Sequence, residues 1–230
     1  MLAIFIIMIV ATIGIARYAA GRYDEAYRRG ASESAPLAHT GAEIARKFLA
    51  AEGFEDVEVI EHNGVVTNYY DPKRKRLFLR SEIANGTTLI AWAMALHEAA
   101  HAPQSAANKG EFAWRQTCIR LTRYGPVFGA IAIITAAFLK VMPAKIAILA
   151  MIGWLALILA LNLGTVAMEF NANLRVRKFL DRELKGKDSA RDKIDSLLSG
   201  IALREVGDLL RSPRYFFFSA LPGTSKNRPR

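Results

Sequence analysis

Residues 97–101 read His97-Glu98-Ala99-Ala100-His101. On a helix, side chains four apart point the same way, so the two imidazoles can meet one metal ion while Glu98 stands beside it. The flanks agree with a helix: Thr87 or Thr88 can cap its start, Leu89 to Leu96 are helix-compatible, and Pro103 is expected to end or kink it just past His101. The single cysteine, Cys118, excludes a disulfide within the chain and a Cys-rich metal site, so metal ligands have to be His and carboxylate. The chemistry to expect is metal-assisted hydrolysis, with a metal that activates water and polarises a carbonyl, and with Glu98 taking the proton and passing it to the leaving amine.

Two His leave such a site short of a third protein ligand. Working outward along the chain, Glu169 is the candidate, because it is the first acidic residue after a long apolar region. Asn173 lies one turn further on the same helical face, where it can orient a ligand by a hydrogen bond. A donor for the developing oxyanion is also expected, and Tyr69, Tyr70 and His62 are all candidates that the spacing does not separate.

The apolar regions set the rest of the architecture. Hydrophobic residues make up 52% of the 230, and mean hydropathy is +0.16, which points to bilayer-embedded segments. Residues 2–16 form an uncharged apolar run that reaches spanning length if continued to Ala20; it lacks a basic n-region, and reads as an uncleaved anchor. Residues 125–142 and 146–168, interrupted by Pro143 and Lys145, read as a transmembrane hairpin. Three spans with the N-terminus outside put all but Lys140 and Lys145 of the 31 basic residues on the cytoplasmic side, together with the catalytic domain. The net charge of +10 is concentrated in the tail, which suits topology and anionic lipid headgroups; no nucleic-acid-binding motif accompanies it.

Between the first span and the hairpin the pattern is α+β. Thr40-Gly41-Ala42-Glu43 is a capping box, and the helix that it opens, burying Ile44, Phe48 and Leu49, stops at Gly53. Strands are expected at residues 56–61, 65–70 and 76–80, forming a small antiparallel sheet, with Leu77 and Leu79 on one face and the last strand free to pair with an extended substrate. A charged helix should follow the hairpin to near Gly186, and another should cover residues 192–211 with an apolar stripe that is either core or membrane interface. Tyr215 to Phe218 is an aromatic patch suited to packing or to a membrane interface. The expected units are an anchor (1–20), a catalytic domain (31–123), a hairpin (124–168), a helical region completing the metal site (169–212) and a basic tail (213–230).

The strings HTGAEIARKFL, VVTNYYDPKRKRLFLRSEIANG, ALHEAAHAPQ and MEFNANLRV, in this order over about residues 35–185, resemble the YugP-like neutral zinc metallopeptidases of prokaryotic membranes. The resemblance implies a zincin-like catalytic domain, one zinc ion per chain held by His97, His101 and Glu169, and Glu98 as the catalytic base. The E-F-x-A-[DN] string around Glu169 is also similar to that of other membrane-bound gluzincins. Ala100 stands where that family usually has Gly, Tyr69 where it usually has His, and the C-terminal region is less apolar, so no further span is expected after Glu169. The function expected is that of a membrane-embedded zinc metalloendopeptidase acting on a protein or peptide. The alternative is a catalytically silent zinc-binding membrane protein serving as an interaction or lipid-binding module. Substrate identity and oligomeric state are not legible.

Overall fold

A computed structural model describes residues 2–63, 68–107 and 109–203. The chain is mostly helical, with seven helices and one three-stranded sheet among the described residues. The first helix, α1 (Leu2–Ser32), runs well past the expected end of the anchor without a break. Its second half packs into the domain, where Gly200 lies so close that a Cβ there would stand 2.6 Å from the Ala26 Cβ.

Helix α2 (Gly41–Ala51) starts as its capping box dictates: the Thr40 hydroxyl accepts from the Glu43 amide at 3.2 Å, and the Glu43 carboxylate accepts from the Thr40 amide at 2.8 Å. It ends in a left-handed turn at Gly53 (φ 79°), where the Gly53 and Phe54 amides cover the carbonyls of Ala50 and Leu49. The strands are β1 (Glu58–His62), β2 (Tyr69–Asp71) and β3 (Arg76–Arg80). Residues 64–67, the start of the second expected strand, lie outside the described residues.

The sheet is mixed, which corrects the antiparallel expectation. Its order is β1-β3-β2, with β2 antiparallel and β1 parallel to β3. The chain does reverse between β1 and β2, but β3 inserts between the two arms, and two-residue alternation carries no information on strand direction. The centre goes to the strand with the most apolar inward face, Leu77 and Leu79, both fully buried. A consequence is a second correction: β3 pairs along its whole length with β1, and on its other side with β2 and the Asn68 side chain, so it is no edge for a substrate.

A short helix, α3 (Ser81–Ala84), leads into α4 (Leu89–Ala107), the centre of the molecule. Thr88 caps α4 through its hydroxyl to the Ala91 amide at 3.3 Å, and every residue from Leu89 to Gln104 is buried. The helix is wrapped by α1, α2, α6 and α7, which explains why its sequence shows no polar face. Pro103 neither ends nor bounds it, since α4 continues to Ala107. The proline withholds a single amide, and burial of the helix through Gln104 carries it past that point into a more exposed final turn. Large side chains such as Trp92, Phe48 and Phe179 are fully sealed against α4 and its neighbours, each contributing about 1.5–3 kcal/mol.

Helices α5 (Lys109–Phe138) and α6 (Ala144–Glu183) form an antiparallel hairpin closed by a turn with Lys140 in a left-handed conformation (φ 57°). Trp154 seals the hairpin by lying on Gly125 and Gly129 and donating its indole N–H to the Gly125 carbonyl at 3.1 Å. Among the described residues two helices, Ile6–Ser32 and Ala144–Glu183, are long and apolar enough to cross a membrane; the apolar part of α5, Val127–Phe138, is shorter. After Gly186 (φ 80°), α7 (Asp188–Ala202) buries Ile194, Leu197, Leu198 and Ile201. That stripe is therefore core. Its expected continuation to Arg211, the aromatic patch and the basic tail lie outside the described residues.

Candidate metal centre

The HExxH residues sit on α4 as the i, i+4 spacing requires, and the first turn of α6 beyond its apolar run brings Glu169 to meet them. Because α5 and α6 run out and back, the stretch between His101 and Glu169 returns the chain to its starting point. Glu169 Oε2 lies 3.1 Å from His97 Nε2 and 3.5 Å from His101 Nε2. All three side chains are buried, and their ligand atoms lie within 4.8 Å of one another.

Two amides orient the imidazoles. Asn173 donates its Nδ2 to the Leu198 carbonyl at 2.9 Å, so its Oδ1 is the atom facing His97 Nδ1 at 2.8 Å. Gln104 donates its Nε2 to the Met168 carbonyl at 2.9 Å, which turns its Oε1 to His101 Nδ1 at 2.9 Å. An amide oxygen only accepts, so each imidazole donates from Nδ1 and keeps a lone pair on Nε2 pointing inward. Burial, followed by the Arg115 guanidinium, holds the pKa of His101 down to about 3, so it stays a neutral donor. Burial also pulls His97 down, but the negative charge of Glu169 3.1 Å away, with Glu98 behind, outweighs it and leaves His97 raised.

The result is a pocket of inward-facing acceptors. Glu169 Oε2 is buried without a hydrogen-bond partner, a costly arrangement that a cation relieves. Zinc bonds of about 2.0–2.1 Å in tetrahedral array place ligand atoms about 3.3 Å apart, close to the two separations here. Nitrogen and oxygen donors without sulfur fit that ion. Glu98, 3% exposed, adjoins the cluster on α4.

The oxyanion candidates divide. Tyr70 is buried on the core face of the sheet and lines a cavity of about 710 Å³ with Phe54, Val57, Ser105 and Phe112. The Phe112 ring in turn packs 6.1 Å from that of His101. Tyr69 stacks on Phe78 at 4.8 Å, and His62 meets the same ring, so both belong to the opposite face of the sheet. Burial raises the pKa of both tyrosines and lowers that of His62.

Sequence reasoning missed two residues. Gln104 had a usable signal, since it lies three residues after His101 on the same helical face. Arg115 had none: a basic residue before an apolar run reads as a membrane flank, yet here it is buried with its guanidinium on Glu169 at 2.5 Å.

The "Putative neutral zinc metallopeptidase" family matches residues 4–212. The chain is 25% identical over 209 residues to the "Putative membrane protease YugP" of Bacillus subtilis (strain 168), covering 91% of this chain and 92% of that protein. No solved structure matches. With the family pattern spanning nearly the whole chain and the helices it runs through closing on two His and one Glu, this protein belongs to that family of neutral zinc metallopeptidases.

Proposed function

We propose that the protein is a membrane-embedded zinc metalloendopeptidase, with His97, His101 and Glu169 holding one zinc ion and Glu98 as the general base. The observation that carries this reading is the trio of acceptor atoms turned inward, two of them with their tautomer set by an amide on the far side of the ring. Bound there, zinc supplies Lewis acidity, lowering the pKa of water and polarising a carbonyl. The Glu98 carboxylate accepts the proton from the attacking water and delivers it to the leaving nitrogen. The burial of the whole cluster excludes bulk water, which strengthens each electrostatic contact. Tyr70 is the oxyanion candidate best supported by position, because it shares the Phe112-lined cavity, whose apolar walls suit a substrate side chain.

The relative's name includes the word membrane, and outward-facing apolar residues on α1 (Ile7, Val10), α5 (Ile131, Ile134) and α6 (Leu149, Leu163) support the same location here. The orientation proposed is N-terminus outside, three spans and a cytoplasmic site, as a multi-pass protein of the cell membrane. The out-and-back path of α5 and α6 supports the two hairpin spans, since an even number of crossings is what lets Glu169 rejoin α4, and the side follows from the basic residues.

The test is proteolysis by purified protein in detergent, loaded with zinc, against Glu98→Gln, with the products compared by mass spectrometry. Products made by the wild type and absent with Glu98→Gln are expected. Identical products from both would remove the peptidase reading and leave the silent zinc-binding module.

A further inference from the structure

An arginine facing a carboxylate usually spreads its fork over both oxygens. Arg115 does not. Its Nε donates to Glu169 Oε1 at 2.5 Å and its Nη2 forms an ion pair with the same oxygen at 2.5 Å, while Oε2 is left with no hydrogen-bond partner, facing His97 Nε2 and His101 Nε2. Arg115 is itself 5% exposed and its guanidinium packs over the Phe112 ring, with its carbon 5.8 Å from the centroid, so its place is held from behind as well as in front. Nη2 also donates to His101 Nε2 at 3.1 Å, so this arginine partners the lone pair that His101 turns inward.

We propose that Arg115 is a positioning residue that occupies one oxygen of Glu169 and so makes this carboxylate a one-oxygen ligand. The inference rests on the metal site proposed above and adds the coordination mode. A carboxylate can bind a metal through one oxygen or through both, and the second oxygen takes a coordination position of its own. A hydrolytic site needs that position for water and substrate. With Oε1 carrying a charge-assisted hydrogen bond from Nε and the ion pair to Nη2, swinging it onto the metal means breaking both contacts inside a buried site, where the freed guanidinium finds no replacement among bulk waters. The guanidinium stays protonated and has no lone pair to offer, so it guards Oε1 without becoming a ligand.

The experiment uses the full chain in detergent with Co²⁺ in place of zinc, because the visible absorption of Co²⁺ is strong in four-coordinate sites and weak when a further ligand binds. One Co²⁺ per chain with a strong band is expected for the wild type. Arg115→Gln is expected to bind one Co²⁺ per chain with a band several-fold weaker, as Glu169 closes on the metal with both oxygens. Arg115→Lys, which keeps a cation at Oε1, should return the wild-type band, and it carries the test if Arg115→Gln does not fold. A wild-type band in Arg115→Gln would overturn the proposal. So would loss of Co²⁺ from that variant, which would make Arg115 a builder of the site, or a weak band in Arg115→Lys. Failure of the wild type to take up any Co²⁺ or zinc is a different result, since it removes the metal site itself.

Discussion

The α4 site and the α5–α6 hairpin are built by opposite rules. Around α4, polar side chains are buried and held by named partners: His97 by Asn173, His101 by Gln104, Glu169 by Arg115. Along the hairpin, large apolar side chains such as Ile131, Ile134, Phe138 and Leu149 face outward, and contact between the two helices depends on small residues under Trp154. In an ordinary soluble protein both would be destabilising, because charges lose their water and hydrocarbon meets it. They make sense together if the low-polarity medium lies outside the hairpin and the charged cluster has its counter-ion inside the fold. The hairpin is then the scaffold that carries Glu169 back to α4, and the cluster is where, among the described residues, a metal ion could be held.

The largest effect expected from breaking this arrangement is at the ligands. Glu169→Ala and His97→Ala should lose zinc and all peptidase activity yet stay folded in detergent, because the apolar burial around α4 and along the hairpin does not depend on the metal. Metal analysis with circular dichroism checks this, and global unfolding on chelation would mean that the two regions are not separable. Glu98→Gln should instead keep full zinc stoichiometry while turnover falls by about 10²–10⁴-fold.

The amides that orient the imidazoles come next. Asn173→Ala and Gln104→Ala should each lower zinc affinity or turnover by about 10–100-fold, well short of the loss at Glu169. Competition with a chelator of known affinity reads this directly, and wild-type affinity in both variants would show that the tautomers are set otherwise.

The hairpin is probed by its small residues. A Cβ at Gly129 would stand 2.1 Å from Trp154 Nε1, so Gly129→Ala should force the indole to shift and lower stability by about 1–3 kcal/mol. Zinc stoichiometry at low temperature should be unchanged. Thermal unfolding in detergent, followed with and without metal, would show whether the scaffold can loosen without loss of the site.

The smallest effect is at the edge of the domain. Thr40→Ala removes one half of the capping box of α2 and should cost about 1 kcal/mol, with no change in metal binding. A larger loss, or loss of zinc, would mean that α2 is coupled to the site more tightly than its packing on α4 suggests.

Local rules explain how much of this was legible beforehand. The two-His spacing of α4, the capping box, the glycine stops at Gly53 and Gly186, and the inward face of β3 each depend on neighbours within about five residues, so a linear reading finds them. Glu169 and Asn173 were legible for a related reason: an apolar run long enough to go out and back fixes where the chain must return. What the linear reading could not reach was set by partners far apart in sequence. The direction of β1, the central place of β3, and the way α4 runs through Pro103 all follow from what packs against each element. Arg115 is the clearest case, since a basic residue ahead of an apolar run has the same sequence context whether it meets lipid headgroups or Glu169. Spacing along the helix pairs the two imidazoles, whereas which oxygen of Glu169 is left facing them is decided by a guanidinium 54 residues away, through contacts that only the folded chain creates.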